Sequence, residues 1–262
     1  MAAARRRWVV WLGVPLAALL LALWLAPVLL VQFALPPLAA RSGGAIEVTG
    51  ARPALPFGFA AARLRVVRDG RELVLDELRA VWLPSGPRVD ARVAAGTLLV
   101  RGDDLFASRG FVRVQGIALE SLQPLFGAPL AVRGQADGVW RFGPEASVEG
   151  SVSRGAVTVA RPAPFELPFA QLVVSAARDP ATRDWNVRWV DLQGPPLSGN
   201  ATGRIGADGA LALTAQVRQL EEPVRSFFAL AQLPTDPLPL ALSLEGTLAA
   251  PRLSATAPAA GR

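Results

Sequence analysis

Two pairs of adjacent carboxylates, Asp103-Asp104 and Glu221-Glu222, come nearest to a chemical centre in this chain. Neighbouring acids serve either a hard cation or acid–base work. A calcium ion takes about six to eight oxygen ligands, and no Asp-rich loop surrounds either pair to supply the rest. Their plainer roles are a turn and a helix N-terminus, where acidic side chains favour the dipole. The chain has no His, Cys or Tyr, and its 27 basic residues are all Arg. Zinc, copper, haem and iron–sulfur centres draw on His or Cys ligands, so no metal and no cofactor is expected. Ser–His–Asp and Cys–His catalysis lack their general base. Ser198-Gly199-Asn200 and Gly150-Ser151 do not form a nucleophile elbow. The Gly-rich stretch from Gly199 to Gly209 lacks the Lys of a phosphate loop. A glycosidase needs two opposed carboxylates, and no such pair stands out. No catalytic residue is expected. Trp140, Trp185 and Trp189 read as core or sheet anchors rather than ligand-stacking groups.

With chemistry set aside, position becomes the question, and the stretch from Arg5 to Leu35 organises it. Arg5, Arg6 and Arg7 lead into residues 8–31, which carry no charged side chain. A helix needs roughly 20 apolar residues to cross a bilayer. Trp8, Trp11 and Trp24 suit the membrane interface, and the arginines stay on the cytoplasmic side. Pro15 and Pro27 kink such a helix without excluding it. Leu38-Ala39-Ala40 offers a weak cleavage site, so a removed signal peptide is the alternative. The length of the apolar run favours an anchor. Both readings place the remaining residues outside the cytoplasm. Without cysteine, that exported part must be held by packing alone.

The net charge is +6, of which Arg5, Arg6 and Arg7 supply three, leaving +3 for the rest. No dense basic patch with interleaved aromatics appears, so nucleic acid is not an expected partner. Hydrophobic residues make up 52% of the chain, which excludes a disordered protein.

Beyond the anchor the pattern has period 2. Residues 57–68 and 71–83 flank Asp69-Gly70, a strong hairpin signal. Leu64 and Val66 alternate with Arg63 and Arg65, while Leu73 and Leu75 alternate with Glu72 and Asp76. That is the pattern of an antiparallel sheet with one apolar face. Residues 88–101 read as one long strand with a bend at Gly96. Further strands are expected over residues 110–117, 130–142, 146–160, 166–178, 185–192, 197–205, 210–218 and 238–248. Two short helices interrupt them, at residues 118–126 and 221–233, marked by Leu119, Leu122 and Leu125 and by Val224, Phe227 and Phe228. Gln115-Gly116-Ile117 before the first helix and Val217-Arg218-Gln219 before the second suggest a repeat of about 100 residues. The fold class is mainly β: a long antiparallel twisted sheet or a sandwich with two short packed helices, preceded by one transmembrane helix. Periodicity does not separate an open sheet with an apolar groove from a closed sandwich.

A short N-terminus, one anchor and a β-rich domain of this length resemble the type II secretion system protein N family. The residues that carry the likeness are Leu35-Pro36-Pro37-Leu38, the periodic Val148–Gly155 segment and the closing Gly246-Thr247-Leu248-Ala249-Ala250-Pro251-Arg252-Leu253. That ending also resembles AsmA-like proteins. The resemblance implies a non-enzymatic inner-membrane component that works with other secretion-system or envelope proteins in a Gram-negative cell. The AsmA-like likeness implies phospholipid as a partner, held or moved through an apolar groove. The expected organisation is a cytoplasmic tail at 1–7, the anchor at 8–31, a linker at 32–44, a periplasmic β-rich domain at 45–250 and a flexible tail at 251–262.

Overall fold

The computed structural model describes residues 25–34, 36–37, 40, 44–68, 70–125, 132–159, 165–247 and 250–255. They form one antiparallel sheet of fifteen strands. In chain order these are β1 (Gly44–Thr49), β2 (Arg52–Pro53), β3 (Gly58–Arg68), β4 (Arg71–Leu83), β5 (Gly86–Val93), β6 (Gly96–Gly102) and β7 (Gly110–Ala118). Then come β8 (Val132–Phe142), β9 (Ser147–Val159), β10 (Phe165–Arg178), β11 (Trp185–Gln193), β12 (Leu197–Ile205), β13 (Ala210–Leu220), β14 (Leu240–Thr247) and β15 (Ala250–Ala255). From β3 onward each strand pairs with the next, so the sheet is a single meander, with β1 and the two-residue β2 both on β3. Among the described residues β1 pairs only with β3 and β15 only with β14. The sandwich alternative is therefore replaced by one sheet with two open ends.

Helical segments accompany it. Residues 25–29 are α-helical and Leu30–Ala34 continue as a π-helix; together they are α1. The short 3₁₀ helix α2 (Leu119–Leu125) joins β7 to β8, and α3 (Val224–Leu230) joins β13 to β14. Each of these two connects strands that are themselves paired. Among the described residues no helix is long and apolar enough to cross a membrane. The expected transmembrane helix gains no support from them, and the part of it before residue 25 lies outside them.

Turn chemistry explains most of the meander. Gly209 sits at φ 82° between β12 and β13, where the Asp208 carboxylate accepts the Ala210 N–H at 2.9 Å. Gly70, between β3 and β4, has φ 71°, while its neighbour Asp69 lies outside the described residues. Two expectations need correction. Residues 88–101 are not one strand bent at Gly96; they are β5 and β6, reversed at Ala94-Ala95, with Ala94 at φ 52°. An Ala-Ala turn lacks the Gly, Asn or Asp that announces a reversal. Residues 251–255 of the expected tail belong to strand β15, because the backbone edge of β14 offers β15 a complete ladder from Thr247↔Ala250 to Leu242↔Ala255.

The register sorts side chains onto two unlike faces. One cross-strand row runs Phe59, Ala80, Val89, Val100, Val112, Trp140, Val148, Ala176, Val187, Gly203, Leu213, Leu244 and Leu253 from β3 to β15. A second row on that face runs Ala91, Leu98, Val114, Gly138, Gly150, Val174, Val190, Ala201, Ala215 and Leu242. Neither contains a charged or polar side chain. The row one residue away, on the other face, includes Arg88, Arg101, Arg141, Asn186, Arg204, Glu245 and Arg252. Ion pairs knit that face: Arg63–Asp76 at 2.7 Å, Arg65 to Glu72 at 2.7 Å and to Glu47 at 3.1 Å, and Arg92–Glu77 at 3.0 Å. The hydrogen bond from Arg65 holds the Glu72 carboxyl below its ordinary pKa. In a period-2 structure, such segregation means one face is built for water and the other is not.

Candidate functional site

Among the described residues the apolar face is covered at its ends and bare in its middle. Near the N-terminal end, Leu122 of α2 packs with Leu73, Val93 and Ile117, and Ile117 is fully buried. Next to it Ala61, Leu64, Leu78 and Ala91 form a second cluster. Near the C-terminal end, Val224 and Phe228 of α3 pack with Leu167, Val217, Leu220, Leu240 and Leu242. Between these clusters lie Val112, Trp140, Val148, Val174 and Val190, which belong to none of them. The four valines are half-buried and Trp140 is 49% exposed. At about 4.8 Å per strand, β7 to β13 span roughly 30 Å. Gly138 of β8 and Gly150 of β9 face one another within this span. A Cβ on Gly138 would lie 2.8 Å from the Glu149 carbonyl oxygen and 2.9 Å from the Gly150 Cα. The two strands approach too closely there for side chains, which leaves the floor low.

An apolar cavity of about 460 Å³ adjoins this face at the start of β3 and the end of β4. One wall is α1, through Leu30 and Val31; the other is the sheet, through Phe57, Phe59, Val81, Trp82 and Val89. The apolar run of residues 8–31 thus ends against the hydrophobic surface of the domain.

What this arrangement does chemically is limited and specific. An apolar face whose hydrogen-bonding side chains come down to the Trp140 indole N–H suits a ligand that has few hydrogen bonds to lose. A peptide laid there would leave its own N–H and C=O groups unpaired, at a cost of about 1–3 kcal/mol for each buried one. Hydrocarbon carries no such cost, and its transfer from water contributes about 0.8 kcal/mol per buried methylene.

The residues singled out for chemistry make local bonds within turns and at a helix start. Asp104 folds the β6–β7 turn: its carboxylate accepts the backbone N–H groups of Phe106 at 2.9 Å and Ser108 at 3.0 Å, and the Ser108 hydroxyl. These bonds, led by the Ser108 hydroxyl, hold its pKa below the ordinary carboxylate value. Asp103 lies 4.0 Å from Arg101. Glu222 accepts the Ser226 hydroxyl at 2.7 Å at the start of α3, and Glu221 accepts the Gln219 amide at 2.6 Å. Among the described residues no group of three acidic side chains could hold a metal ion. Asp104→Ala will release the turn. Its Phe106 and Ser108 amides will exchange hydrogen at least about tenfold faster while those of β9 do not change, which hydrogen-exchange mass spectrometry measures. In the native chain the bonds need the carboxylate, so the turn loosens as pH falls through that lowered pKa.

The membrane-anchor residues Arg5, Arg6, Arg7, Trp8, Trp11 and Trp24 lie outside the described residues. Of the three tryptophans read as core or sheet anchors, Trp140 and Trp189 stand on the sheet at 49% and 48% exposure and Trp185 is half-buried. Phe228 is buried as expected. Sequence reasoning missed the bare centre of the apolar face. Its only local sign is an absence of charge at alternate positions, repeated in strand after strand. No family model, no curated protein and no solved structure matches this chain.

Proposed function

We propose that this chain is a non-enzymatic, membrane-anchored envelope protein whose bare apolar face receives the acyl chains of phospholipid. The observation that carries the reading is the uninterrupted apolar row from Phe59 to Leu253, in whose centre Val112 and Val148 are half-buried and Trp140 is exposed. Residues 8–31 supply the anchor, with Arg5, Arg6 and Arg7 on the cytoplasmic side. The α1 cavity then lies where an acyl chain would pass from the bilayer to the sheet. An apolar face of this kind supports the groove reading that the AsmA-like resemblance implies.

The setting we propose is the inner membrane of a type II secretion system, with the β-rich domain in the periplasm, on the resemblance to protein N of that machine. One structural feature supports a protein partner as well as a lipid. The last strand, β15, is exposed over its whole length and leaves one backbone edge unpaired among the described residues. Such an edge invites a further strand. Full-length protein extracted gently from membranes and analysed by native mass spectrometry tests both parts. Phospholipid retained at one or more molecules per chain, together with secretion-system subunits, is the expected result. A lipid-free protein contradicts the groove reading. Retained lipid without any secretion-system subunit contradicts the setting alone.

A further inference from the structure

Eight of the thirteen large hydrophobic side chains exposed among the described residues lie on α1 or in the segments beside it. Leu29, Leu30 and Phe33 belong to α1, at 51%, 60% and 69% exposure. The others are Leu55, Phe57, Trp82, Leu105 and Phe106. Direct contacts tie these segments together. The Trp82 N–H donates to the Phe57 carbonyl at 2.6 Å, and the Trp82 indole N–H donates to the Leu105 carbonyl at 3.2 Å. Phe57, Trp82 and Leu30 line the same cavity. Asp104 fixes the turn that carries Phe106, which is 92% exposed. A phenylalanine held in water by a built turn, beside an indole whose N–H is already bonded, has no folding role of its own.

We infer that this rim of the sheet is seated on the bilayer, with Leu105 and Phe106 inserted into the membrane interface. The inference rests on the anchored reading of residues 8–31, because that run leads directly into α1. The occupant is a phospholipid surface for two reasons. The patch continues the chain's own apolar run, so the bilayer that takes one lies against the other. Its side chains are the aromatic and aliphatic types that suit an interface. Arg52 of β2 and Arg109 of the β6–β7 turn stand nearby, where they meet lipid phosphates. Seated this way, the α1 cavity and the apolar face open toward lipid rather than toward water.

The chain has no cysteine, so single-site labelling of the full-length protein reports the contact. Phe106→Cys and Leu105→Cys place an environment-sensitive fluorophore on the rim. Glu221→Cys places it beyond the opposite strand ends. Each variant is reconstituted into phosphatidylcholine–phosphatidylglycerol vesicles with and without doxyl-labelled lipid. Quenching at 105 and 106 several-fold above that at 221 is the expected result. Equal quenching at all three positions, or none at 105 and 106, overturns the inference. Flotation after an alkaline wash separates the two claims. A chain that floats without quenching at 105 and 106 overturns the seated rim and leaves the anchor standing; a chain that washes off the vesicles overturns both.

Discussion

Val190→Asp will lower phospholipid occupancy of the purified protein by about tenfold or more while the domain still folds. Val190 pairs with Val174 on one side and Ala201 on the other, in the middle of the apolar face. It is half-buried and outside all three hydrophobic clusters. In the empty protein a carboxylate there still reaches water, so the cost to folding is modest. Acyl chains laid across it would strip that water away, and burying an unpaired charge costs several kcal/mol. Each 1.4 kcal/mol is about tenfold in occupancy. Thr214→Asp, exposed on the opposite face of β13, serves as the comparison and will leave occupancy unchanged. Lipid phosphate per protein, measured beside a thermal melt, reads both quantities. Full occupancy in the Val190→Asp protein would remove the apolar face from the mechanism.

Phe228→Ala will destabilise the domain by about 3–5 kcal/mol. Phe228 is 6% exposed and packs among Leu167, Val217, Leu220, Val224, Leu240 and Leu242. That cluster draws on β10, β13, β14 and α3, so a void in it weakens the whole C-terminal end of the sheet. At roughly 2–4 °C per kcal/mol for a domain of this size, the melting temperature falls by about 6–20 °C. Leu230→Ala, on the same helix but 76% exposed, will move it by less than about 2 °C. The contrast separates loss of packing from a change in helix propensity, since both variants place Ala, the strongest helix former, in α3. If the two variants melted alike, α3 would not be the element that closes this end.

The strands themselves are written in local pattern. Arg63-Leu64-Arg65-Val66 and Leu73-Val74-Leu75-Asp76 alternate as an antiparallel sheet requires, and Asp208-Gly209 marks its own reversal. The α2 and α3 segments show in the spacing of Leu119 with Leu122 and of Val224 with Phe228. Three things were not readable. The reversal at Ala94-Ala95 carries no turn residue, so two strands look like one. The strand at Ala250–Ala255 is small and polar, and only the edge of β14 makes it a strand. The bare apolar centre depends on register, a long-range property that brings Val112 beside Trp140 and Val148 beside Ala176. Period 2 says that each strand has an apolar side; it does not say that a dozen of those sides align, or that none of the described residues covers the middle ones.

The most direct measurement uses a phospholipid with a photoactivatable group in its acyl chain. It is incorporated into membranes holding the full-length protein, irradiated, and mapped by tandem mass spectrometry. Crosslinks concentrated on Val112, Trp140, Val148, Val174 and Val190, and sparse on Arg113, Arg141, Glu149 and Asp191 of the opposite face, are the expected result. Crosslinks spread evenly over both faces, or confined to residues 8–31, would contradict an acyl-binding sheet.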